Sequence, residues 1–154
     1  MILSNFLDLE AIRIDIAVNN KRQLLNQLAQ TAAGRLGIDP APIVDSINER
    51  ERLGSTGFGG GVAIPHGKLG SLDRIYALVT RLSKPIDYKA IDGGKVDLIF
   101  LLLSPPDAGA EHLKALAAVS RLVRHAPTVE KLRGARSRDA LAAVLLGVDE
   151  RDAA

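Results

Sequence analysis

Histidine is the residue type in this sequence with the clearest capacity for nucleophilic chemistry. The chain has three histidines, His66, His112 and His125, and no cysteine. An imidazole nitrogen with a free lone pair can attack a phosphoryl group at neutral pH. The lack of cysteine excludes a thiol nucleophile, a thiolate metal site and a disulfide framework. The chemistry of the chain therefore depends on its histidines and on the charged groups beside them.

His66 stands in a segment that could present an imidazole to an anion. It occurs in Ile64-Pro65-His66-Gly67-Lys68, directly after a short apolar stretch. The rigid proline and the permissive glycine predict that a strand ends here, where backbone amides such as that of Gly67 can face an anion. A surface histidine without a function is the alternative that this local pattern leaves open.

His112 occupies the apolar stripe of a predicted helix. It shares that stripe with Leu116, Val119 and Val123. It therefore lies on the buried face near the helix N-terminus, which attracts anions. The alternative is a core histidine bonded to a backbone carbonyl. His125 lies on the polar face of the same helix, and we assign it no role.

Arg50 is an arginine on the inward face of another predicted helix. It follows Ile43 and Ile47 on one stripe, and Gly54 comes shortly after it. An inward guanidinium needs an acceptor. A buried carboxylate such as Asp97 would satisfy it, and so would a phosphate, which guanidinium binds as a fork.

Two histidines, an inward arginine and a glycine-rich stretch predict a phosphate site without a nucleotide. His66 would be the nucleophile, while Arg50 and His112 would neutralise the phosphoryl oxygens. The glycines complete neither a Walker motif nor a dinucleotide fingerprint. A zinc site formed by His66, His112 and Asp107 is the chemical alternative. Its spacing matches no recognised metal motif, so we predict no metal and no cofactor.

Strands and helices alternate along the chain, which predicts an α/β fold with a mixed parallel and antiparallel sheet flanked by helices on both faces. The stretch Val96–Leu103 is apolar on both faces and should be the central strand. The short connections within Val62–Leu82 indicate antiparallel pairing there. The predicted strands are Ile12–Val18, Val62–Ile64, Ile75–Leu82 and Val96–Leu103, and the predicted helices are Lys21–Leu36, Pro42–Gly54, Glu111–His125 and Ser137–Leu146.

Length and composition predict one cytoplasmic domain. The chain has 154 residues, 47% of them hydrophobic, and a formal net charge of +2. We expect a single domain over residues 1–154, with a core at about 12–146 and a frayed tail at 149–154. No apolar run is long enough to span a membrane, and the first ten residues carry no Lys or Arg, unlike a secretory signal. Aromatic residues make up 3% of the chain, which argues against nucleic-acid binding.

Two sequence blocks resemble a known family. The first runs from Asn48-Glu49-Arg50-Glu51 through Ser55-Thr56-Gly57-Phe58-Gly59-Gly60-Gly61-Val62-Ala63-Ile64-Pro65-His66. The second combines Leu101-Leu102-Leu103-Ser104-Pro105 with Glu111-His112-Leu113-Lys114-Ala115-Leu116-Ala117. Both are similar to the fructose/mannitol-type enzyme IIA domains of the bacterial sugar phosphotransferase system, and the similarity covers about Ile12 to Leu146.

The resemblance implies a role for each matched residue. His66 would accept a phosphoryl group on Nε2 from a small histidine phosphocarrier protein. Arg50 and His112 would be the active-site arginine and the second active-site histidine. Thr56 would place a hydroxyl near the phosphate, and we expect Gly67 to contact it as well. The implied fold is the enzyme IIA type 2 fold, a mixed sheet flanked by helices.

Within that family the chain is similar to the free-standing, nitrogen-regulatory enzyme IIA. This branch implies signalling through partners such as transporters and sensor kinases, whose contacts change with phosphorylation. The alternative is a sugar-specific enzyme IIA that passes its phosphoryl group to an enzyme IIB during uptake.

Overall fold

A mixed sheet forms the centre of the fold in the computed structural model, which describes residues 2–153. Its six strands are β1 (Arg13–Ile16), β2 (Gly57–Gly59), β3 (Val62–Ala63), β4 (His66–Lys68), β5 (Tyr76–Ile86) and β6 (Val96–Ser104). The five α-helices of the described residues are α1 (Lys21–Leu36), α2 (Pro40–Arg52), α3 (Ala110–Arg124), α4 (Ala126–Gly134) and α5 (Arg138–Ala153). Two short 3₁₀ turns, Leu3–Asn5 and Leu9–Ala11, precede β1.

The strands lie in the order β1-β5-β6-β3-β2, and β4 also pairs with β6. β5 is antiparallel to β6, whereas β3 and β4 are parallel to it. The predicted mixed sheet is thereby confirmed. The predicted antiparallel pairing within Val62–Leu82 is wrong, because β3 and β5 lie on opposite sides of β6. The long apolar β6 pairs with both of them and keeps them apart.

Helices cover both faces of the sheet, as predicted. β6 alternates between two cores: Leu98, Phe100 and Leu102 pack on one side, while Ile99 and Leu101 pack on the other. Helices α3, α4 and α5 contribute to the first core, and α1 and α2 to the second. β6 is therefore central and buried on both faces. No helix among residues 2–153 is long and apolar enough to cross a membrane.

The pairing along one side of β6 is interrupted between β3 and β4, and His66 follows this interruption. β3 pairs with the first half of β6, Pro65 breaks the strand, and β4 resumes the pairing with His66 opposite Leu102 and Lys68 opposite Ser104. His66 therefore lies near the carboxyl ends of two parallel strands. Ligands commonly bind at this edge of an α/β sheet.

The structure differs from the predicted elements in several places, among them the strands β2 and β4, which were not predicted. β1 is short because Asp15 adopts a left-handed φ of 56° and shifts the pairing register with β5. Helix α4 was not among the predicted elements. We expected a frayed tail over 149–154; α5 continues to Ala153 there, and the Asp149 carboxylate accepts the Leu3 N–H at 2.7 Å. Residue 154 lies outside the described residues.

Candidate functional site

The three residues singled out for chemistry converge on one pocket beside β4. Arg50 comes from the last turn of α2, His66 from β4 and His112 from the first turn of α3. The full lining is Ser46, Glu49, Arg50, Leu53, His66, Gly67, Lys68 and His112. The structure therefore brings Arg50, His66, His112 and Gly67, four of the predicted site residues, together in one pocket.

The hydrogen bonds of His66 fix its tautomer. Its Nδ1 lies 2.8 Å from the carbonyl oxygen of Ile64. A carbonyl oxygen can accept but not donate, so Nδ1 carries the proton and Nε2 keeps a free lone pair. The Nε–H of Arg50 donates to that lone pair at 3.2 Å. The nucleophilic atom of the imidazole therefore faces the guanidinium.

Arg50 is held by the turn that ends α2. Its second hydrogen bond runs from a terminal guanidinium nitrogen to the carbonyl oxygen of Gly54, at 2.9 Å. Gly54 has a φ of +145°, which L side chains rarely adopt, so the turn requires glycine. The alternative of a carboxylate partner is wrong for Asp97, which pairs with Arg133 at 2.9 Å. The acceptors of Arg50 are instead the imidazole and one carbonyl.

His112 is the second imidazole of the pocket. The centroids of the His66 and His112 rings are 5.5 Å apart, and the ring planes are tilted by 52°. Nδ1 of His112 lies 2.5 Å from the hydroxyl oxygen of Ser104, the last residue of β6. Its partner is therefore a buried hydroxyl and not the backbone carbonyl of a core histidine. Ser104 was predicted only as part of the second family-like block, at the end of a buried strand, and was assigned no role.

Burial and neighbouring charges keep both histidines neutral near pH 7. Desolvation lowers the pKa of His66, the hydrogen bond that its Nδ1–H donates to the Ile64 carbonyl opposes this, and the Arg50 guanidinium lowers the pKa further. Desolvation also lowers the pKa of His112, with added repulsion from His66 and Lys68. A neutral His66 keeps the Nε2 lone pair that a nucleophile needs.

Thr56 lies next to the pocket without lining it. Its buried hydroxyl donates a hydrogen bond to the Glu51 carboxylate and accepts one from the Tyr88 hydroxyl at 2.9 Å. Glu51 also accepts the Thr56 N–H at 3.1 Å and pairs with Lys21 at 2.7 Å. This Glu51 network ties the end of α2 to the glycine-rich segment. We therefore revise the expected role of Thr56 from phosphate contact to support of the Arg50 turn.

Gly67 lets α2 approach β4 closely. A Cβ placed on Gly67 would overlap the Ser46 hydroxyl and lie 3.2 Å from the Ser46 carbonyl carbon. The Ser46 hydroxyl donates to the Lys68 carbonyl at 2.5 Å, which fastens the helix to the strand. Sequence reasoning missed Ser46, which lies on a different element from His66. Lys68 stood in the segment around His66, two residues after it on the same strand, but was assigned no role.

The zinc alternative has no matching geometry in the described part of the chain. Among residues 2–153, no group of three or more His, Asp or Glu side chains converges closely enough to hold a metal ion. Asp107 does not line the pocket of His66 and His112. The two imidazoles and the guanidinium instead form a site suited to an anion that His66 could attack.

A match to a family model favours phosphoryl transfer over the zinc alternative. The model described as "Phosphoenolpyruvate-dependent sugar phosphotransferase system, EIIA 2" matches residues 5–147. The chain belongs to this EIIA family. Its members are phosphotransferase components that transfer phosphoryl groups through a histidine.

Several proteins are similar to this EIIA chain over nearly its whole length. A nitrogen regulatory protein of Bradyrhizobium diazoefficiens is 48% identical over 136 residues, covering 88% of this chain and 89% of that protein. A fructose-specific EIIA component of Haloferax volcanii is 33% identical, covering 96% and 97%. The crystal structure of the nitrogen regulatory protein IIA-Ntr from Neisseria meningitidis superposes with a TM-score of 0.87 at 31% identity, covering 93% of this chain and 98% of that one.

Proposed function

We propose that this protein is a phosphocarrier whose His66 accepts a phosphoryl group on Nε2. The observation that carries the proposal is the pair of bonds on the imidazole, from Nδ1 to Ile64 and from Arg50 to Nε2. Together they prepare a neutral nucleophile beside a fixed positive charge. A histidine phosphocarrier protein is the donor that the family membership indicates.

The transfer can be written with all bonds balanced. The Nε2 lone pair of His66 attacks phosphorus, the bond from phosphorus to the donor's nitrogen breaks, and that electron pair returns to the donor ring. The His66 ring gains positive charge as the bond forms, and the carbonyl of Ile64 stabilises the proton on Nδ1. Arg50 loses its acceptor at Nε2 and becomes free to bind the phosphoryl oxygens.

Two exposed leucines at the pocket support docking of a protein partner. Leu53 lines the pocket and is 83% exposed, and Leu113 follows His112 and is 66% exposed. Apolar groups of this size gain free energy when a partner covers them. A partner that covers them would also exclude water from the transferring phosphoryl group.

The more similar relatives favour a regulatory branch. Nitrogen regulatory proteins reach 48% identity, against 33% for the fructose-specific component. We therefore propose that phosphorylation of His66 changes the affinity of this protein for transport or kinase partners in the cytoplasm. A phosphoryl group adds about −1.5 to −2 charges to a surface that partners touch. We propose no nucleic-acid partner and no insertion into a membrane.

Sugar uptake is the second candidate. A solved complex joins the mannitol enzyme IIA of Escherichia coli to its phosphorylated enzyme IIB, and its fold matches this chain with a TM-score of 0.76 at 16% identity. Complex formation between that enzyme IIA and an enzyme IIB is what makes uptake the second candidate.

A phosphotransfer chain tests the proposal and separates the two candidates. The protein is incubated with phosphoenolpyruvate, enzyme I and a histidine phosphocarrier protein, and its intact mass is followed. An acid-labile gain of one phosphate supports the phosphocarrier function, and no gain with an active donor contradicts it. Onward transfer to a fructose-type enzyme IIB at the rate of a sugar-specific EIIA would favour uptake over regulation.

A further inference from the structure

The hydroxyl of Ser104 has one described partner, Nδ1 of His112. Ser104 is fully buried, with a relative accessibility of 0%. Among the buried side-chain polar atoms of residues 2–153, only the Thr80 hydroxyl lacks a partner, so Ser104 is satisfied by His112 alone. The direction of this single bond therefore decides where the His112 proton lies.

Two directions are chemically possible, and burial selects one of them. If Nδ1–H donated to Ser104, the hydroxyl proton would need a second acceptor inside the protein, and the described residues supply none. A buried donor without an acceptor is destabilising, because it has lost its hydrogen bond to water. If Ser104 donates to Nδ1, both groups are satisfied. The imidazole proton then lies on Nε2, the nitrogen that Ser104 leaves free for the pocket.

We propose that Ser104 is a positioning residue that donates its hydroxyl proton to Nδ1 of His112 and so holds the His112 proton on Nε2, available to a phosphoryl oxygen. This inference rests on the proposed phosphocarrier function. It makes the two imidazoles complementary. A backbone acceptor at Ile64 leaves His66 with a lone pair at Nε2, whereas a side-chain donor at Ser104 gives His112 an N–H at the same ring position.

The surroundings of His112 keep the ring singly protonated, so its tautomer decides whether Nε2 can donate a hydrogen bond. A doubly protonated imidazole would donate from both nitrogens, and Ser104 would then be unnecessary for donation. Burial lowers the pKa of His112, and the positive groups that face it, Lys68 and a protonated His66, lower it further. Arg50 adds a further positive charge to the same pocket. His112 is therefore neutral near pH 7, and its ability to donate depends on which nitrogen carries the single proton.

The first readout is the tautomer itself, measured on the unphosphorylated protein. ¹⁵N chemical shifts of the imidazole nitrogens distinguish Nε2–H from Nδ1–H. We expect His112 to be the Nε2–H tautomer in the wild type and to lose this preference in Ser104→Ala. An Nδ1–H tautomer of His112 in the wild type would overturn the inference without any variant. This measurement does not depend on phosphoryl transfer, so its failure is distinct from failure of the proposed function.

The second readout is a double-mutant cycle on the transfer rate. We expect Ser104→Ala to lower kcat for phosphoryl acceptance about 10- to 100-fold, the range found when a partner orienting a metal-binding histidine is removed. The KM for the donor protein should stay within about twofold, because Ser104 is buried away from the docking surface. In a His112→Ala background the same change should have no further effect. An equal loss in both backgrounds would show a structural role instead and would overturn the inference.

Thr128 offers a matched control. Its buried hydroxyl also contacts a histidine Nδ1, that of His125, at 2.7 Å. The His125 ring is not part of the pocket. Thr128→Val should leave kcat unchanged while Ser104→Ala lowers it. Equal losses in both variants would mean that deleting any buried hydroxyl slows transfer, which contradicts a specific role for Ser104.

Discussion

Replacing Arg50 by alanine tests the electrostatics of the pocket most sharply. The side chain makes two contacts, one to Nε2 of His66 at 3.2 Å and one to the Gly54 carbonyl at 2.9 Å. The first contact points at the atom that would carry the phosphoryl group, and the second belongs to the fold. The two contacts therefore predict two separable effects of one substitution.

The larger effect falls on catalysis. A fixed donor aimed at developing charge contributes about 2.7–4 kcal/mol to transition-state stabilisation, which corresponds to a 10²- to 10³-fold change in rate. The bond to Gly54 contributes to stability at the usual net value of about 0.5–1.5 kcal/mol. We therefore expect Arg50→Ala to slow phosphoryl acceptance about 100- to 1000-fold while lowering the free energy of unfolding by about 1 kcal/mol.

Rapid quench of the transfer from a phosphorylated donor gives the rate, and urea unfolding gives the stability. Arg52→Ala is the matched control, because Arg52 is an exposed arginine at the end of the same helix and does not line the pocket. It removes the same formal charge and should change the rate less than threefold. Transfer by Arg50→Ala at the wild-type rate would refute the electrostatic argument and reduce Arg50 to a cap on the α2 turn.

Three further outcomes follow from the contacts. Gly67→Ala should cost about 1–3 kcal/mol of stability in urea unfolding, because the added Cβ has no space against α2. Gly70→Ala is the control and should leave stability unchanged, because no neighbouring atom lies within 4 Å of a Cβ at that position. Equal losses of stability in the two variants would contradict the steric argument. Thr56→Val should lower stability by about 1–3 kcal/mol and slow transfer only a few-fold; a 100-fold loss of rate at unchanged stability would restore a phosphate contact for Thr56. The folded-state pKa values of His66 and His112 lie below the ordinary 6.5, so the unfolded chain binds more protons, and stability should fall as pH drops below about 6.5. The free energy of unfolding, measured at pH 7.5 and 5.5, checks this. An equal loss of stability at pH 5.5 in a variant with both His66 and His112 replaced by alanine would contradict it.

Helical phase was enough to predict that Arg50 and His112 point inward. Arg50 and His112 stood out because each placed a polar group on an otherwise apolar stripe, a pattern that requires an internal partner. His66 stood out through the proline and glycine around it. These signals are local, so they can be read from one sequence. The comparison with the EIIA family then supplied the chemistry that connects them.

The partners of these residues could not be predicted in the same way. The contact between Ser104 and His112 depends on where α3 begins relative to the end of β6. Thr56 was expected at the phosphate from its position in the motif, but the direction of its side chain is set by Glu51 and Tyr88. Long-range geometry of this kind depends on packing and leaves no periodic trace in the sequence.

One helix and one strand arrangement were predicted wrongly for physical reasons. Helix α4 is nine residues long, and its proline lies in the first turn, where it suits a helix start but also resembles a break. β3 and β5 were expected to pair because a short connection joins them. The strongly apolar β6 lies between them instead, because this central position buries both of its faces.

Site-specific detection of the phosphoryl group tests the central claim most directly. The wild type, His66→Ala and His125→Ala are phosphorylated by the same donor system, and the intact mass and the ³¹P NMR signal of phosphohistidine are recorded. We predict one acid-labile phosphate on Nε2 in the wild type and in His125→Ala, and none in a folded His66→Ala. A phosphate on His66→Ala, or attachment to Nδ1 in the wild type, would contradict the account.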